Sequence, residues 1–176
     1  MNDKTRPTIV IFGSSKPKPG SANYLQAYDL GKSLAQAGYQ IANGGYGGTM
    51  EAAAKGAKES NAHTIGVTCD AFGKKGPNQW IDKEIRTTDL QHRLQTLVDL
   101  ADAYLVLPGS TGTLLELATV WELMNKRFLP QKPIICLTDH WKPVIETVVN
   151  SGETNGSCIH FADTYEHVTK VLTELL

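Results

Sequence analysis

The chain has 176 residues, enough to bury a full hydrophobic core as one domain, and its 17 basic and 18 acidic side chains leave a net charge of −1. Charges this balanced, with no run of Lys or Arg, argue against a nucleic-acid or membrane-surface partner. No stretch approaches the roughly 18 apolar residues that cross a bilayer, no apolar signal segment stands at the N-terminus, and Cys69, Cys136 and Cys158 are far apart. The expectation is a reduced, cytoplasmic protein whose cysteines are small core residues or free thiols.

In chain order, residues 8–12 are an apolar run closed by Gly13, Ser14 and Ser15, and predict a strand. A polar loop leads into a helix over 21–37, with Gly38 as its left-handed C′ residue. A second strand over 39–42 opens into Asn43-Gly44-Gly45-Tyr46-Gly47-Gly48-Thr49. A small-residue helix follows, then a third strand over 64–68. Residues 69–87, with Gly73, Gly76, Pro77 and Trp80, read as one long irregular segment, a length that in compact domains usually serves function. Thr88-Asp89-Leu90-Gln91 has the capping-box pattern and opens a helix with Leu90, Leu94, Leu97 and Ala101 on one face and Arg93 flanking that stripe.

Residues 103–107 are a short apolar run ended by Pro108 and Gly109, which predicts a buried parallel strand, and Ser110 or Thr111 can cap the helix after it. That helix is apolar nearly all round, with Leu114, Leu115, Leu117, Ala118, Val120, Trp121, Leu123 and Met124. Such a helix is expected to be covered on more than one side, by the sheet and by a second copy of the chain, so a homodimer at minimum follows. A strand over 133–137, a helix over 141–150, a strand near 158–161 and a terminal helix from 163 complete the chain.

Strands that alternate with helices, each strand near-continuously apolar, define an α/β protein: a single Rossmann-like domain with an open parallel sheet and helices on both faces. In such sheets ligands bind beyond the carboxyl ends of the strands. Three small-residue turns fall there: Gly13, Ser14 and Ser15; Gly44, Gly45, Gly47, Gly48 and Thr49; and Gly109, Ser110, Thr111, Gly112 and Thr113. They are expected to converge on one crevice, where bare backbone N–H groups at helix N-termini suit an anion. Glu116, inside the apolar helix, is costly there unless paired or used.

Several chemistries are absent from the pattern. The glycines do not form a dinucleotide fingerprint, and Asn43 stands where a ribose-binding acid would. There is no phosphate-binding G-x-x-x-x-G-K-[ST] loop, no nucleophile elbow, and no H-x-x-x-H or C-x-x-C pair, so no metal or cofactor is expected. A phosphate cradle with one buried acid suits a nucleoside monophosphate or a sugar phosphate best.

Pro108-Gly109-Ser110-Thr111-Gly112-Thr113-Leu114-Leu115-Glu116 closely resembles P-G-G-x-G-T-x-x-E, the hallmark of the LOG (Lonely Guy) family of cytokinin riboside 5′-monophosphate phosphoribohydrolases. Phe12-Gly13-Ser14-Ser15, the Gly44-Gly45-Tyr46-Gly47-Gly48 turn and Ile65-Gly66-Val67 are similar to that family's other blocks, in the same order. The resemblance implies hydrolysis of the N-glycosidic bond of a purine nucleoside 5′-monophosphate such as AMP, with or without an N6 substituent, to free base and ribose 5-phosphate. It carries the family's catalytic acid onto Glu116 and its catalytic arginine onto Arg93, with Thr113 and the glycines as phosphate binders. Two positions depart from the pattern: Ser110 replaces a glycine, so the turn has to avoid positive φ there, and Leu94 stands where many members have Lys. The superfamily also includes a molybdenum-cofactor carrier that binds without hydrolysing, and that second reading stays open.

Overall fold

The computed structural model describes residues 6–152 and 154–176. Seven strands form one sheet: β1 (Thr8–Phe12), β2 (Gln40–Asn43), β3 (Thr64–Cys69), β4 (Lys83–Thr87), β5 (Ala103–Val106), β6 (Ile134–Leu137) and β7 (Ile159–Ala162). Their order is β4-β3-β2-β1-β5-β6-β7, and every neighbouring pair is parallel. The helices between them are α1 (Ala22–Gln36), α2 (Thr49–Glu59), α3 (Leu90–Leu100), α4 (Thr111–Asn125), α5 (Lys142–Val149) and α6 (Tyr165–Leu175). This is the expected Rossmann-like α/β sheet. The strand order reverses between β1 and β5, so the chain leaves these neighbours in opposite directions and opens a crevice at their carboxyl ends.

Side chains along β1 alternate between two cores, as a pleated strand covered on both faces requires. Ile9 and Ile11 join Leu30 and Leu34 of α1, Ala53 of α2 and Leu172 of α6. Val10 and Phe12 join Leu97 of α3, Leu117 and Trp121 of α4 and Ile145 of α5 on the other side. The three cysteines are free and buried. Among the described residues no helix is long and apolar enough to cross a membrane.

Three local readings are corrected. Residues 69–87 are not one irregular segment: they hold a one-turn 3₁₀ helix (Asp70–Phe72) and the edge strand β4. Lys-Glu-Ile-Arg-Thr lacks an apolar run because β4 pairs on one side only and leaves its charged side chains in water, a common way of blunting an edge. The cap of α3 is Asp89, whose side chain accepts from the His92 N–H at 2.9 Å, while Thr88 donates to the Asp89 carboxylate. The covered face of α3 is Arg93, Leu97 and Val98, whereas Leu90 is exposed, so Arg93 lies within the buried stripe rather than beside it. In α4 only one stripe is covered within the chain, namely Thr113, Leu117, Val120, Trp121 and Met124.

Helices α1 and α2 pack close enough to need glycine at the contact. A Cβ on Gly31 would lie 2.1 Å from the Ala53 carbonyl oxygen, and one on Gly56 would lie 2.0 Å from that of Tyr28. Alanine elsewhere in a helix is more favourable than glycine, but here backbone has to move. Gly31→Ala is expected to lower stability by about 1–3 kcal/mol, read as a lower denaturant midpoint with unchanged slope.

Candidate functional site

The turns after β1, β2 and β5 meet at the carboxyl edge of the sheet because these strands are neighbours. Gly13 is their junction: a Cβ there would lie 2.5 Å from Thr49 Oγ1 and 3.1 Å from Leu107 Cβ. Thr49 donates both its backbone N–H (2.9 Å) and its hydroxyl (3.0 Å) to the Ser14 carbonyl, which ties α2 to the β1 turn. Thr49 is buried and committed to that strut, so it is a scaffold residue rather than an open anion donor. Gly45 and Gly48 have φ of +74° and +71°, and a Cβ on Gly48 would strike the Ser14 carbonyl. Only glycine passes both tests. Gly47 lies on the same turn, half-buried.

The β5 turn needs no left-handed residue. Ser110 is extended at φ −114° and ψ −156°, which is why serine replaces glycine there without strain. Gly109 answers a different constraint, since a Cβ would lie 2.2 Å from the buried hydroxyl of Thr113. Ser110, Thr111 and Gly112 are exposed, and as the first bond of α4 runs from the Leu114 N–H to Ser110, the N–H groups just before it have no acceptor within the helix. His140 reaches the Gly109 carbonyl at 3.2 Å, and the Trp141 indole donates to the Leu107 carbonyl at 2.9 Å, so the β6–α5 corner braces this turn. Between the β1 and β5 turns lies an open cleft of about 810 Å³, lined by Ser14, Lys16, Lys18, Gly109, Ser110 and His140 among others. Ser15, the next residue of the β1 turn, is exposed.

Arg93 and Glu116 come together from α3 and α4, with Arg93 Nη1 3.5 Å from Glu116 Oε1. Both side chains are largely buried, 8% and 14% exposed. Arg93 Nε donates to the Val67 carbonyl of β3 at 2.8 Å. A Cβ on Gly44 would lie 1.8 Å from Arg93 Nη2, so the guanidinium occupies the space where a side chain would stand. The pair therefore sits against the β2 turn; the switch-point cleft is lined by the other two turns.

Sequence reasoning missed the residues that shape these turns. Buried Asn43 accepts from the Gly45 N–H (2.8 Å) and donates to the Met50 carbonyl (3.0 Å), bridging the glycine turn. Asn78 clamps the same turn from outside, donating through its amide to the Gly45 (3.1 Å) and Tyr46 (2.9 Å) carbonyls. Its place in Gly76-Pro77-Asn78 marks a turn but not a partner. Lys16 and Lys18 looked like a plain polar loop. Among the described residues no group of three His, Cys, Asp or Glu is placed to hold a metal ion.

Fold and site together define a Rossmann-like protein with small-residue turns at the switch point and a buried acid–arginine pair beside them. Residues 6–169 match the model of the SLOG cluster4 family, and the chain belongs to that family. An uncharacterised protein of Archaeoglobus fulgidus is 34% identical over 115 residues, 65% of this chain and 74% of that protein. The cytokinin riboside 5′-monophosphate phosphoribohydrolase of Mycobacterium tuberculosis is 29% identical over 116 residues, 65% of this chain and 62% of that enzyme. The likeness to the LOG family read from the motifs is thus upheld. The structure of a molybdenum cofactor binding protein from the phototrophic bacterium Rippkaea orientalis has a TM-score of 0.78 and 24% identity over 96% of both chains, a likeness of fold.

Burial pushes the Glu116 carboxyl up from an ordinary 4.5 to about 7, and the charge and hydrogen bond of Arg93 pull it back only in part. A carboxyl raised on folding favours the folded state while neutral, and that contribution is lost as pH climbs from the unfolded value through the folded one. Glu116→Gln keeps the neutral form at every pH. Relative to the parent it is expected to gain on the order of 2–3 kcal/mol between pH 5 and pH 8, measured by urea unfolding at both values. A constant difference would contradict the raised carboxyl.

Proposed function

We propose that the chain hydrolyses the N-glycosidic bond of a purine nucleoside 5′-monophosphate, AMP or an N6-substituted AMP, to free base and ribose 5-phosphate. The observation that carries this reading is the pairing of Arg93 with Glu116, one helical turn beyond Thr113 and the exposed N-terminus of α4. The name of the Mycobacterium tuberculosis relative supports it. In this reading the N–H groups from Gly109 to Thr113, with the β1 turn, receive the 5′-phosphate. The glycine turn at Gly44, Gly45, Gly47 and Gly48 shapes the wall beside the sugar and base. Glu116 stabilises the positive charge that develops on the ribose as the bond to the base breaks, and orients the attacking water. Arg93 holds that carboxylate and the departing base in register.

A non-catalytic carrier of a nucleotide or of the molybdenum cofactor is the second reading. What favours it is that Glu116 does not line the large cleft, whose walls carry Lys16, Lys18 and His140. Both readings place a phosphate at the switch point, so AMP is expected to bind far more tightly than adenosine. Turnover separates them.

The assay measures free base and ribose 5-phosphate released from AMP and N6-substituted AMP. The enzyme reading expects release, and expects Glu116→Gln to lower kcat by about a hundredfold, a term near 3 kcal/mol, with KM little changed. Because the active form is the carboxylate, kcat/KM is expected to rise with pH through the region near 7 and then level off. Tight binding without release from any purine monophosphate decides for the carrier.

Assembly is the second proposal. The α4–α5 groove is lined by Leu114, Leu117, Ala118, Trp121, Val144 and Val148, and Leu115 and Phe128 stand exposed beside it or further along the chain. We assign this face to a second copy of the chain. Light scattering is expected to give at least twice the chain mass at micromolar concentration, and Leu115→Glu with Val148→Glu is expected to give the monomer.

A further inference from the structure

We propose that Phe72 is a positioning residue: together with Tyr46 it holds the Arg93 guanidinium in place beside Glu116, so that the segment between β3 and β4 sets the geometry of the acid–arginine pair. The hydrogen bonds of Arg93 do not fix it alone. Nε is anchored on the Val67 carbonyl and Nη2 lies against Gly44, but Nη1 meets Glu116 only at 3.5 Å. Two rings close the remaining directions. Arg93 Cζ is 5.6 Å from the Phe72 ring centre and 5.8 Å from that of Tyr46. The rings lie 6.0 Å apart at 47°, so the cation occupies the angle between them. Both distances fall within the range at which an aromatic face attracts a guanidinium.

Phe72 is built into this position. It ends the one-turn 3₁₀ helix, closed by a bond from the Gly73 N–H to the Asp70 carbonyl at 2.9 Å. The Ala71 N–H reaches the Thr88 carbonyl at 3.3 Å, and Arg86 of β4 pairs with the Asp70 carboxylate. Tyr46 is fixed by the residue next to that turn: its hydroxyl accepts from the Cys69 N–H at 2.8 Å and donates to the Cys69 carbonyl at 3.3 Å. Lys74, two residues after Phe72, covers the Tyr46 ring at 4.5 Å. One short stretch, residues 69–74, thus fixes both rings. Phe72 itself is 42% exposed, so its burial adds little to the core. Its inner face meets the guanidinium.

The kinetic arm of the test rests on the hydrolase reading; the spectroscopic arm does not. Nitrogen-15 NMR identifies the Arg93 Nε–H signal by its loss in Arg93→Lys. In the parent it is expected to exchange slowly with water and to be displaced by the rings from the free-arginine position. Phe72→Ala is expected to quicken exchange about tenfold or more and to move the signal toward free arginine, Phe72→Leu to lose the displacement while keeping part of the protection, and Phe72→Tyr to restore both. In the hydrolysis assay Phe72→Ala is expected to lower kcat by about threefold to thirtyfold with KM unchanged, the range of one cation–aromatic contact. It should add nothing further in an Arg93→Ala background. If Phe72→Ala does not fold, Phe72→Leu carries the spectroscopic comparison. An Arg93 signal with unaltered position and exchange in a folded Phe72 variant overturns the proposal, whether or not the protein turns over AMP. Altered NMR signals in a protein that releases no base leave the clamp standing and remove only the hydrolase reading.

Discussion

Glu116 and Arg93 are opposite charges withdrawn from water in a contact that satisfies neither fully. At 3.5 Å, with one nitrogen facing one oxygen, Arg93 offsets only part of the burial acting on the carboxyl, which settles near 7. A well-formed buried pair would meet through two parallel bonds and hold both partners ionised. A carboxyl can relieve its burial by gaining a proton. Arg93 is stabilised by the Val67 carbonyl and by the Tyr46 and Phe72 rings. The asymmetry follows directly. The arginine is fixed and charged, and the acid is the member that responds.

The scaffold is arranged to keep that arginine fixed. Gly44 yields its side-chain space to the guanidinium, and Asn43 and Asn78 hold the turn containing Gly44 from inside and outside. Asn43 lies at the end of β2 and Val67 on β3, and the pairing of these adjacent strands fixes the turn relative to the Nε anchor. Glu116 rides on α4, whose start is braced by Thr113 against Gly109 and by the β6–α5 corner against the β5 turn. The two halves of the pair are thus carried by opposite sides of the strand-order reversal.

Elements with strong periodicity were legible in the sequence. The strands at 8–12, 64–68 and 103–107 and the helix over 21–37 with Gly38 beyond it match the structure within a residue, because apolar runs and a left-handed glycine leave few alternatives. β4 was not legible: an edge strand with one apolar side chain, Ile85, carries no burial signal. The place of Arg93 was legible in principle. Positions 93, 97 and 101 share one helical stripe, and pairing Arg93 with Leu97 rather than choosing Leu90 would have buried it. The amide clamps of Asn43 and Asn78 were beyond reach, since hydrogen bonds between distant loops leave no period in a sequence. Ser110 was legible as a departure from the motif, and the extended backbone at that position is the reason it costs nothing.

A carboxyl balanced near neutrality has a further consequence for the proposed chemistry. A phosphate bound at the switch point adds negative charge and favours the neutral acid still more, so the ground state gains little from Glu116. In the proposed reaction, positive charge appears on the ribose as the glycosidic bond breaks and favours the carboxylate. The interaction thus grows along the reaction coordinate, which is the condition for accelerating a step rather than tightening binding. A fully paired Glu116 would stay ionised throughout, but its charge would be largely neutralised by Arg93 and would answer the ribose less. In the proposed reaction the loose 3.5 Å contact then has a physical sense: the arginine lies close enough to limit the cost of the charge and far enough to leave most of it for a substrate.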